Sequence, residues 1–349
     1  MIHSGSILPR VPKGVCAFLL AGAFGASGLL GVGRAAATEG YPRILSVNAS
    51  QAPQVEIEAV VPPLLAGQTV PVDAFSVVEN GRRLPLTSVT RVAPADLRVV
   101  LVLDTAVSAA TLAAEQGAAR DFVFELPPQA QIGVVSTDPE PSVVIPLGTD
   151  RGATIRAVVG LAPTAPNSAG DVTRTLELAL GELKPAVGTA VVVMVDSRPT
   201  ATAVPGSVSS AATATDSTVY PIVLADPPPG YLGGLPGRSG GRVLPVESAE
   251  RLLSAYEVVV GETLSRYRIA FRTTTSGSHT ADLTVSSQGI RGTTAFVVQP
   301  GIGPSSTPNR NEFKGSTRKK TSGASTRLLV GLLLVGLLLR LAWRVTRRT

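Results

Sequence analysis

A near-continuous apolar run, Leu97–Leu103, stops at Asp104 and is followed by two hydroxyl-bearing residues, Thr105 and Ser108. Valine and leucine at almost every position indicate a strand that is buried on both faces, as in the middle of a parallel sheet. In open α/β sheets, ligands bind outside the carboxyl ends of such strands, which is where Asp104 is expected to lie. A carboxylate and a nearby hydroxyl are oxygen ligands of the kind that a hard divalent cation prefers.

Strand and helix patterns alternate through residues 95–265. This alternation is typical of a doubly wound α/β fold with a parallel sheet. An acidic Pro-containing turn between two short apolar runs predicts a hairpin at the edge of that sheet. The predicted strands after Leu97–Leu103 are 131–136, 142–146, 189–196 and 218–224, and the predicted helices are 108–125, 150–161, 172–183 and 246–264.

Segments on either side of this region alternate as strands do, namely 41–93 and 266–299. Asn80-Gly81 predicts a tight hairpin turn, because both residues tolerate a positive φ. Three strands rarely form a stable unit alone, so we expect the two segments to pair in one small β-sandwich that flanks the α/β region or encloses it as an insertion. The predicted strands are 55–61, 75–79 and 84–91 before that region, and 267–273, 281–286 and 293–298 after it.

Both ends of the chain carry membrane-related patterns. Residues 1–37 combine Arg10 and Lys13 with an apolar run and three alanines, which predicts a cleaved signal peptide, with an uncleaved anchor as the alternative. Residues 300–327 read as a disordered tether, 328–345 as a transmembrane helix and 346–349 as a cytoplasmic basic tail. We therefore expect a single-pass protein of the cell membrane whose body lies outside the cytoplasm.

Charge and cysteine usage exclude several classes of function. Residues 38–300 hold 18 Lys/Arg and 24 Asp/Glu, so the body of the chain is mildly acidic and lacks the basic surface that nucleic acids require. Cys16, the single cysteine, lies in the predicted signal peptide. No hydrolase elbow, phosphate loop or His/Cys cluster occurs, His279 is expected to be solvated, and Gly237–Gly241 reads as a plain turn. We therefore expect no enzymatic activity.

The stretch from Asp104 to Ser108 resembles the Asp-x-Ser-x-Ser loop of von Willebrand factor type A domains, except that Ala106 stands where the family has its first serine. The order of the segments, with Val77–Gly81 before the α/β region and Tyr267–Phe271 after it, is also similar to secreted bacterial proteins of this type. The resemblance implies a doubly wound sheet and a degenerate metal-ion-dependent adhesion site.

In that family, a threonine before the third helix and an aspartate after the fourth strand complete a magnesium site. The resemblance therefore implies a Mg²⁺ or Mn²⁺ ion held by Asp104, Ser108, Asp171, Thr173 and Asp196, with water in place of the missing serine hydroxyl. Thr105 and Ser197 adjoin the two strand-end aspartates and are candidate ligand-binding residues. The alternative is structural: Asp104 caps the first helix, and Asp196 is a hydrogen-bonded acid at a strand end.

The function that follows is recognition of a protein ligand at the carboxyl-end face of the sheet. With a metal bound, a carboxylate of the ligand would occupy the open coordination position, as the resemblance implies. Without a metal, the same face would bind through loops 104–108, 162–173 and 196–205. The alternative function is that of a structural subunit, docked on neighbouring subunits of a membrane secretion or pilus-assembly complex.

Overall fold

The computed structural model describes residues 41–137, 140–164, 171–183, 189–200 and 204–305. No helix within these ranges is both long and apolar enough to cross a membrane. The predicted signal peptide, transmembrane helix, basic tail and all but the first residues of the tether lie outside them.

The order of the elements follows the alternation in the sequence. The strands are β1 (Arg43–Asn48), β2 (Gln54–Val60), β3 (Phe75–Glu79), β4 (Arg82–Leu84), β5 (Leu86–Arg91), β6 (Leu97–Leu103), β7 (Gln131–Ser136), β8 (Ser142–Gly148), β9 (Thr189–Asp196), β10 (Ser217–Val223), β11 (Leu244–Pro245), β12 (Arg266–Arg272), β13 (His279–Ser287) and β14 (Ile290–Val298). The helices are α1 (Ala109–Glu125), α2 (Arg151–Val159), α3 (Val172–Glu182), α4 (Gly206–Ala214), α5 (Leu235–Arg238) and α6 (Leu252–Leu264).

The central sheet has the order β11–β10–β9–β6–β7–β8 and is parallel except for β8, which forms the predicted edge hairpin with β7. Side chains of β6 alternate between two cores. Leu101 packs in a cluster with residues of α1 and α6, whereas Val102 packs in a second cluster with residues of α3 and α4. A strand with an apolar core on each face must be apolar on both faces, which explains why every residue from Val99 to Leu103 is Val or Leu. The doubly wound α/β prediction is therefore confirmed.

The four long predicted helices are present, with differences at their ends. The last of them begins at Leu252 rather than at residue 246, because Leu244 and Pro245 pair with β10 as β11 and a 3-10 turn follows at Ala249–Arg251. Strand β1 was not predicted. Its polar residues interrupt the apolar pattern, yet Ser46 is only 8% exposed because this strand packs against the α/β region.

Strands from both flanking segments share two antiparallel sheets, β1–β2–β12–β5 and β14–β13–β3–β4. Strand β12 lies between β2 and β5, and β13 lies between β14 and β3. The inward-facing side chains of the two sheets form a single apolar cluster that includes Ile57, Phe75, Ile269 and Phe296. The chain thus leaves this sandwich after β5, builds the central sheet, and returns to it at β12.

The turn between β3 and β4 has the backbone that Asn80-Gly81 predicts, with φ of 50° and 76°. The prediction for His279 was wrong, since its side chain is 7% exposed and its Nε2 lies 2.7 Å from Glu79 Oε1. Burial raises the pKa of Glu79, but hydrogen bonds from three threonines and the charge of His279 lower it to about 2. The threonines near His279 therefore donate hydrogen bonds to a buried carboxylate, that of Glu79, and are not simply solvated.

A buried polar network joins the sandwich to the amino ends of the central strands. Arg266 is 0% exposed and donates to Glu58 Oε1 at 3.0 Å and to Thr218 Oγ1 at 3.1 Å. Glu58 Oε2 accepts from Thr189 Oγ1 at 3.1 Å, and Thr189 is the first residue of β9. Because the sandwich covers this end of the sheet, the carboxyl ends of the strands are directed away from it.

The glycine pair Gly240-Gly241 belongs to the same junction. A Cβ at Gly241 would lie 1.8 Å from the backbone oxygen of Val219, and one at Gly240, whose φ is +75°, would lie 2.4 Å from that of Leu45. No side chain fits between these backbones. The glycine-rich stretch is therefore a structural turn, as expected from its sequence.

We predict that Gly241→Ala destabilises the full-length protein by on the order of 3 kcal/mol, because the new methyl group overlaps the β10 backbone. The matched control is Gly237→Ala in the same stretch, where a Cβ meets no atom within 4 Å. Urea unfolding of both variants measures the difference. Equal stability of the two would contradict the close approach at Gly241.

Asp216 gives the junction a pH dependence. Burial and the charge of Glu58 raise the pKa of Asp216 to about 6, against hydrogen bonding by Ser46 and the charges of Arg266 and Arg268. A raised carboxyl pKa favours folding below the ordinary value of 3.8, and this stabilisation is lost as the pH rises through about 6.

The variant Asp216→Asn cannot ionise, so its stability relative to the parent protein should rise between pH 4 and pH 8. The difference between a pKa of 3.8 and one of about 6 corresponds to on the order of 3 kcal/mol in the free energy of unfolding. Melting temperatures measured across this range provide the test, with Asp226→Asn at an exposed position as the control. A difference that does not change with pH would show that Asp216 is not buried in this way.

Candidate functional site

Asp104 and Asp196 lie at the ends of two neighbouring strands. Strands β6 and β9 are adjacent and parallel, with Val102 opposite Met194, so the two aspartates follow at the same edge of the sheet. Both are buried, at 3% and 8% exposure. We call this edge, formed by residues 104–108 and 196–200 together with Tyr231, the rim.

The carboxylate of Asp104 accepts hydrogen bonds from several segments of the chain. Its Oδ1 accepts from the backbone N–H of Ala106 at 3.0 Å and from the hydroxyl of Thr137 at 3.3 Å. Its Oδ2 accepts from both the backbone N–H and the hydroxyl of Ser197. The guanidinium of Arg198 adds an ion pair, with Nη2 at 3.7 Å from Oδ1. Asp104 is therefore fully engaged by the protein itself.

Asp196 is engaged in a similar manner. Its Oδ1 accepts from the backbone N–H of Arg198 at 2.9 Å, and its Oδ2 accepts from the hydroxyl of Tyr231 at 2.5 Å. Burial raises the pKa of Asp196, the charge of Asp104 adds to this, and the two hydrogen bonds oppose it. Tyr231 is held in place by a strained turn in which Leu232 has a φ of 49°.

A third carboxyl group lies beneath the two aspartates. Glu115 on α1 is 0% exposed, and neither of its oxygens has a hydrogen-bond partner among the described residues. Burial raises its pKa well above the ordinary value, and the charges of Asp104 and Asp196 raise it further. The backbone N–H of Asp104 acts on the pKa in the opposite direction. The nearby hydroxyl of Tyr256 is also buried without a partner in the described part of the chain.

The other predicted residues have structural contacts. Ser108 is the N-cap of α1, where its hydroxyl accepts from the N–H of Thr111 at 3.1 Å. Thr105 is 1% exposed, and its hydroxyl lies 3.3 Å from that of Ser136 on the neighbouring strand. Its carbonyl oxygen accepts from the N–H of Thr164, which brings the loop after α2 to the rim.

Asp171 is the N-cap of α3 rather than a contact of the strand-end aspartates. Its carboxylate accepts from the N–H of Arg174 at 3.0 Å, and its carbonyl oxygen accepts from the hydroxyl of Thr175. Thr173 lies in the first turn of this helix and is half-buried. Neither residue has a hydrogen bond to Asp104 or Asp196 among the described contacts. The structure thus brings together Asp104, Asp196 and Ser197 from the predicted set.

These donor sets do not fit a divalent cation in the present arrangement. A Mg²⁺ or Mn²⁺ ion needs several oxygens directed at one point. Here Ala106 has no side-chain oxygen, the Ser108 hydroxyl caps a helix, and N–H or O–H donors occupy the carboxylates of Asp104 and Asp196. Among the described residues, no three His, Cys, Asp or Glu side chains are grouped as metal ligands would be.

Sequence reasoning did not identify three residues of this site, Glu115, Arg198 and Tyr231. Arg198 had the clearest signal, since it follows Asp196 and Ser197 directly. Glu115 is an isolated acid in the alanine-rich first half of α1, on the side that the helix buries. Tyr231 comes from a Pro- and Gly-rich loop, and no sequence pattern connects it with β9.

We predict that Glu115→Gln leaves stability within about 1 kcal/mol at pH 5, because glutamine has the shape of the neutral acid. A raised carboxyl pKa stabilises the fold at low pH, and this contribution is lost as the pH rises through the raised value. The stability of the variant relative to the parent protein should therefore increase as the pH rises to 9. Urea unfolding at several pH values tests this, with Glu125→Gln at the exposed end of α1 as the control. An equal loss at every pH would show that Glu115 is a partnered carboxylate.

No protein-family model and no curated protein sequence matches the chain. Solved structures do match. The fold is similar to a von Willebrand factor type A protein from Catenulispora acidiphila, at 12% identity and a TM-score of 0.41, covering 76% of this chain and 74% of that one. It is also similar to proximal thread matrix protein 1 of the mussel byssus with a zinc-occupied metal-ion-dependent adhesion motif, at 12% identity and a TM-score of 0.41 over 47% of each chain.

A third similar structure is the conserved hypothetical protein BatB from Bacteroides thetaiotaomicron, at 13% identity and a TM-score of 0.36, covering 48% of this chain and 96% of that one. This chain thus spans about half the length of the mussel protein and nearly all of BatB. Similarities at these TM-scores do not assign a ligand or a role to the residues of the site. The α/β fold rests on the strand order of the chain itself.

Proposed function

We propose that this protein is a recognition domain that binds a protein ligand at the rim. The predicted helix 328–345 holds it at a membrane, with the body outside the cytoplasm. The observation that carries the proposal is the convergence of Asp104, Asp196 and Ser197 at the end of the sheet opposite the sandwich. In open α/β sheets, this is the end at which ligands bind.

The contacts at the rim favour recognition over catalysis. A general base must reach the proton that it removes, and a nucleophile needs an adjacent base. Every oxygen of Asp104 and Asp196 instead accepts a hydrogen bond from the chain, which holds Ser197 and Arg198 in fixed positions. A rigid edge that presents such loops is suited to binding a partner surface.

The alternative function, docking as a structural subunit of a membrane complex, is favoured by a different observation. Phe124 on α1 is 64% exposed and Val159 at the end of α2 is 55% exposed. Large exposed apolar side chains of this kind are contacts that a neighbouring subunit would bury. They lie on the helical side of the sheet and not on the rim.

Site-specific photo-crosslinking tests the proposal. A photoreactive amino acid replaces Thr200, an exposed rim residue, in the full-length protein in its native membranes. The matched control carries it at Leu64, which is 64% exposed on the loop between β2 and β3. We expect a discrete protein adduct from position 200 and none from position 64. A third position, Phe124, tests the alternative function.

Adducts from position 124 alone would favour the structural-subunit function and contradict recognition at the rim. Equal adducts from positions 200 and 64 would show unspecific contact and also contradict it. Mass spectrometry of an adduct from position 200 identifies the partner. The variant Ser197→Ala, which removes the hydroxyl bound to Asp104, should lower its yield.

A further inference from the structure

Two buried carboxylates at neighbouring strand ends require hydrogen-bond donors or positive charge to compensate them, because burial removes the solvation of both. The dipeptide Ser197-Arg198 supplies most of this compensation. Ser197 gives its N–H and its hydroxyl to Asp104, while Arg198 gives its guanidinium to Asp104 and its backbone N–H to Asp196. One short segment thus binds both carboxylates, as a shared cation would.

The sequence of the loops at this end of the sheet makes Arg198 distinctive. Four sequence segments follow strands β6, β7, β9 and β10, namely 104–108, 137–141, 196–205 and 224–234, and a fifth, 161–171, follows α2. Arg198 is the single Lys or Arg in their sequences. The same segments contain six acidic residues, Asp104, Asp138, Glu140, Asp171, Asp196 and Asp226. The one fixed positive charge of these loops is therefore placed against the buried aspartates.

We propose that Arg198 is the resident cation of the rim and that its guanidinium, 39% exposed and paired with Asp104, takes the place of a divalent metal ion beside the two strand-end carboxylates. This inference does not depend on the proposed function. An arginine side chain stays protonated in proteins at all physiological pH values, so the charge is permanent and needs no metal supply. Recognition at this rim would accordingly be insensitive to chelators.

The alanine at position 106 is consistent with this role. A serine hydroxyl there would serve as a ligand to a metal ion, but the contact that position 106 makes with Asp104 is its backbone N–H, which any residue provides. Ala106 is 2% exposed, so its methyl group is buried beside a carboxylate that already has its donors. A guanidinium in place of a metal ion makes no use of the missing hydroxyl.

Binding of Mn²⁺ alone tests the proposal. Titration calorimetry compares the full-length parent protein, Ala106→Ser, Arg198→Ala and the double variant Ala106→Ser/Arg198→Ala. We expect the double variant to bind Mn²⁺ roughly tenfold or more tightly than the parent protein, since a ligand oxygen is added and the competing cation is removed. The matched control, Ala106→Ser/Arg120→Ala, removes an exposed arginine on α1 and should bind Mn²⁺ no better than Ala106→Ser.

A stability measurement provides the second readout. Arg198→Ala should lower the melting temperature, Mn²⁺ should restore part of the loss in the double variant, and Arg198→Lys should retain most of the parent stability without binding Mn²⁺. Tight Mn²⁺ binding by the parent protein would overturn the proposal. So would a double variant that melts cooperatively but neither binds Mn²⁺ nor is stabilised by it. Crosslinking to a partner at the rim, with or without EDTA, tests the proposed function. The Mn²⁺ titrations and melting temperatures test the role of Arg198 separately.

Discussion

The parallel pairing of β6 with β9 is the constraint on which the site depends. Each strand is buried on both faces and ends in an aspartate, so adjacency in the sheet forces two carboxylates into one poorly solvated region. Such a pair is stable only when donors or a cation compensate it. The molecule provides Ser197, Arg198 and Tyr231, which come from two different loops. These contacts hold the two carboxylates in place at the rim.

The sandwich decides which end of the central sheet is accessible. The chain leaves it after β5 and returns at β12, so the sandwich must lie where those two connections meet, at the amino ends of the central strands. The hydrogen bonds of Arg266 to Thr218 and of Thr189 to Glu58, together with the close approach of Gly240 to Leu45 of β1, hold it there. A buried ion pair contributes little net stability by itself, but leaving one partner unpaired is costly. The network therefore favours this orientation over others.

Most of the fold could be predicted from the chain because its signals are local. Apolar runs, the capping residue Asp150 and the Asn80-Gly81 turn each depend on neighbours within a few residues. Predictions were incomplete where a distant contact decides the outcome. Ser46 of β1 is buried beside Asp216 of the α/β region, and His279 is paired with Glu79 of another strand. Asp104 and Asp196 were predictable as a pair because strand ends in a parallel sheet share an edge.

The sequence alone determined the alternation of strands and helices and the two strand-end aspartates, because these are properties of period along the chain. Only the tertiary structure decided what compensates the aspartates. Arg198 is near them in sequence, but its guanidinium could have pointed to solvent, while Tyr231 and Glu115 reach the same place from other elements. Compensation of a buried charge depends on which groups packing brings within a few ångströms. The hydrophobic period along the chain does not predict such long-range contacts.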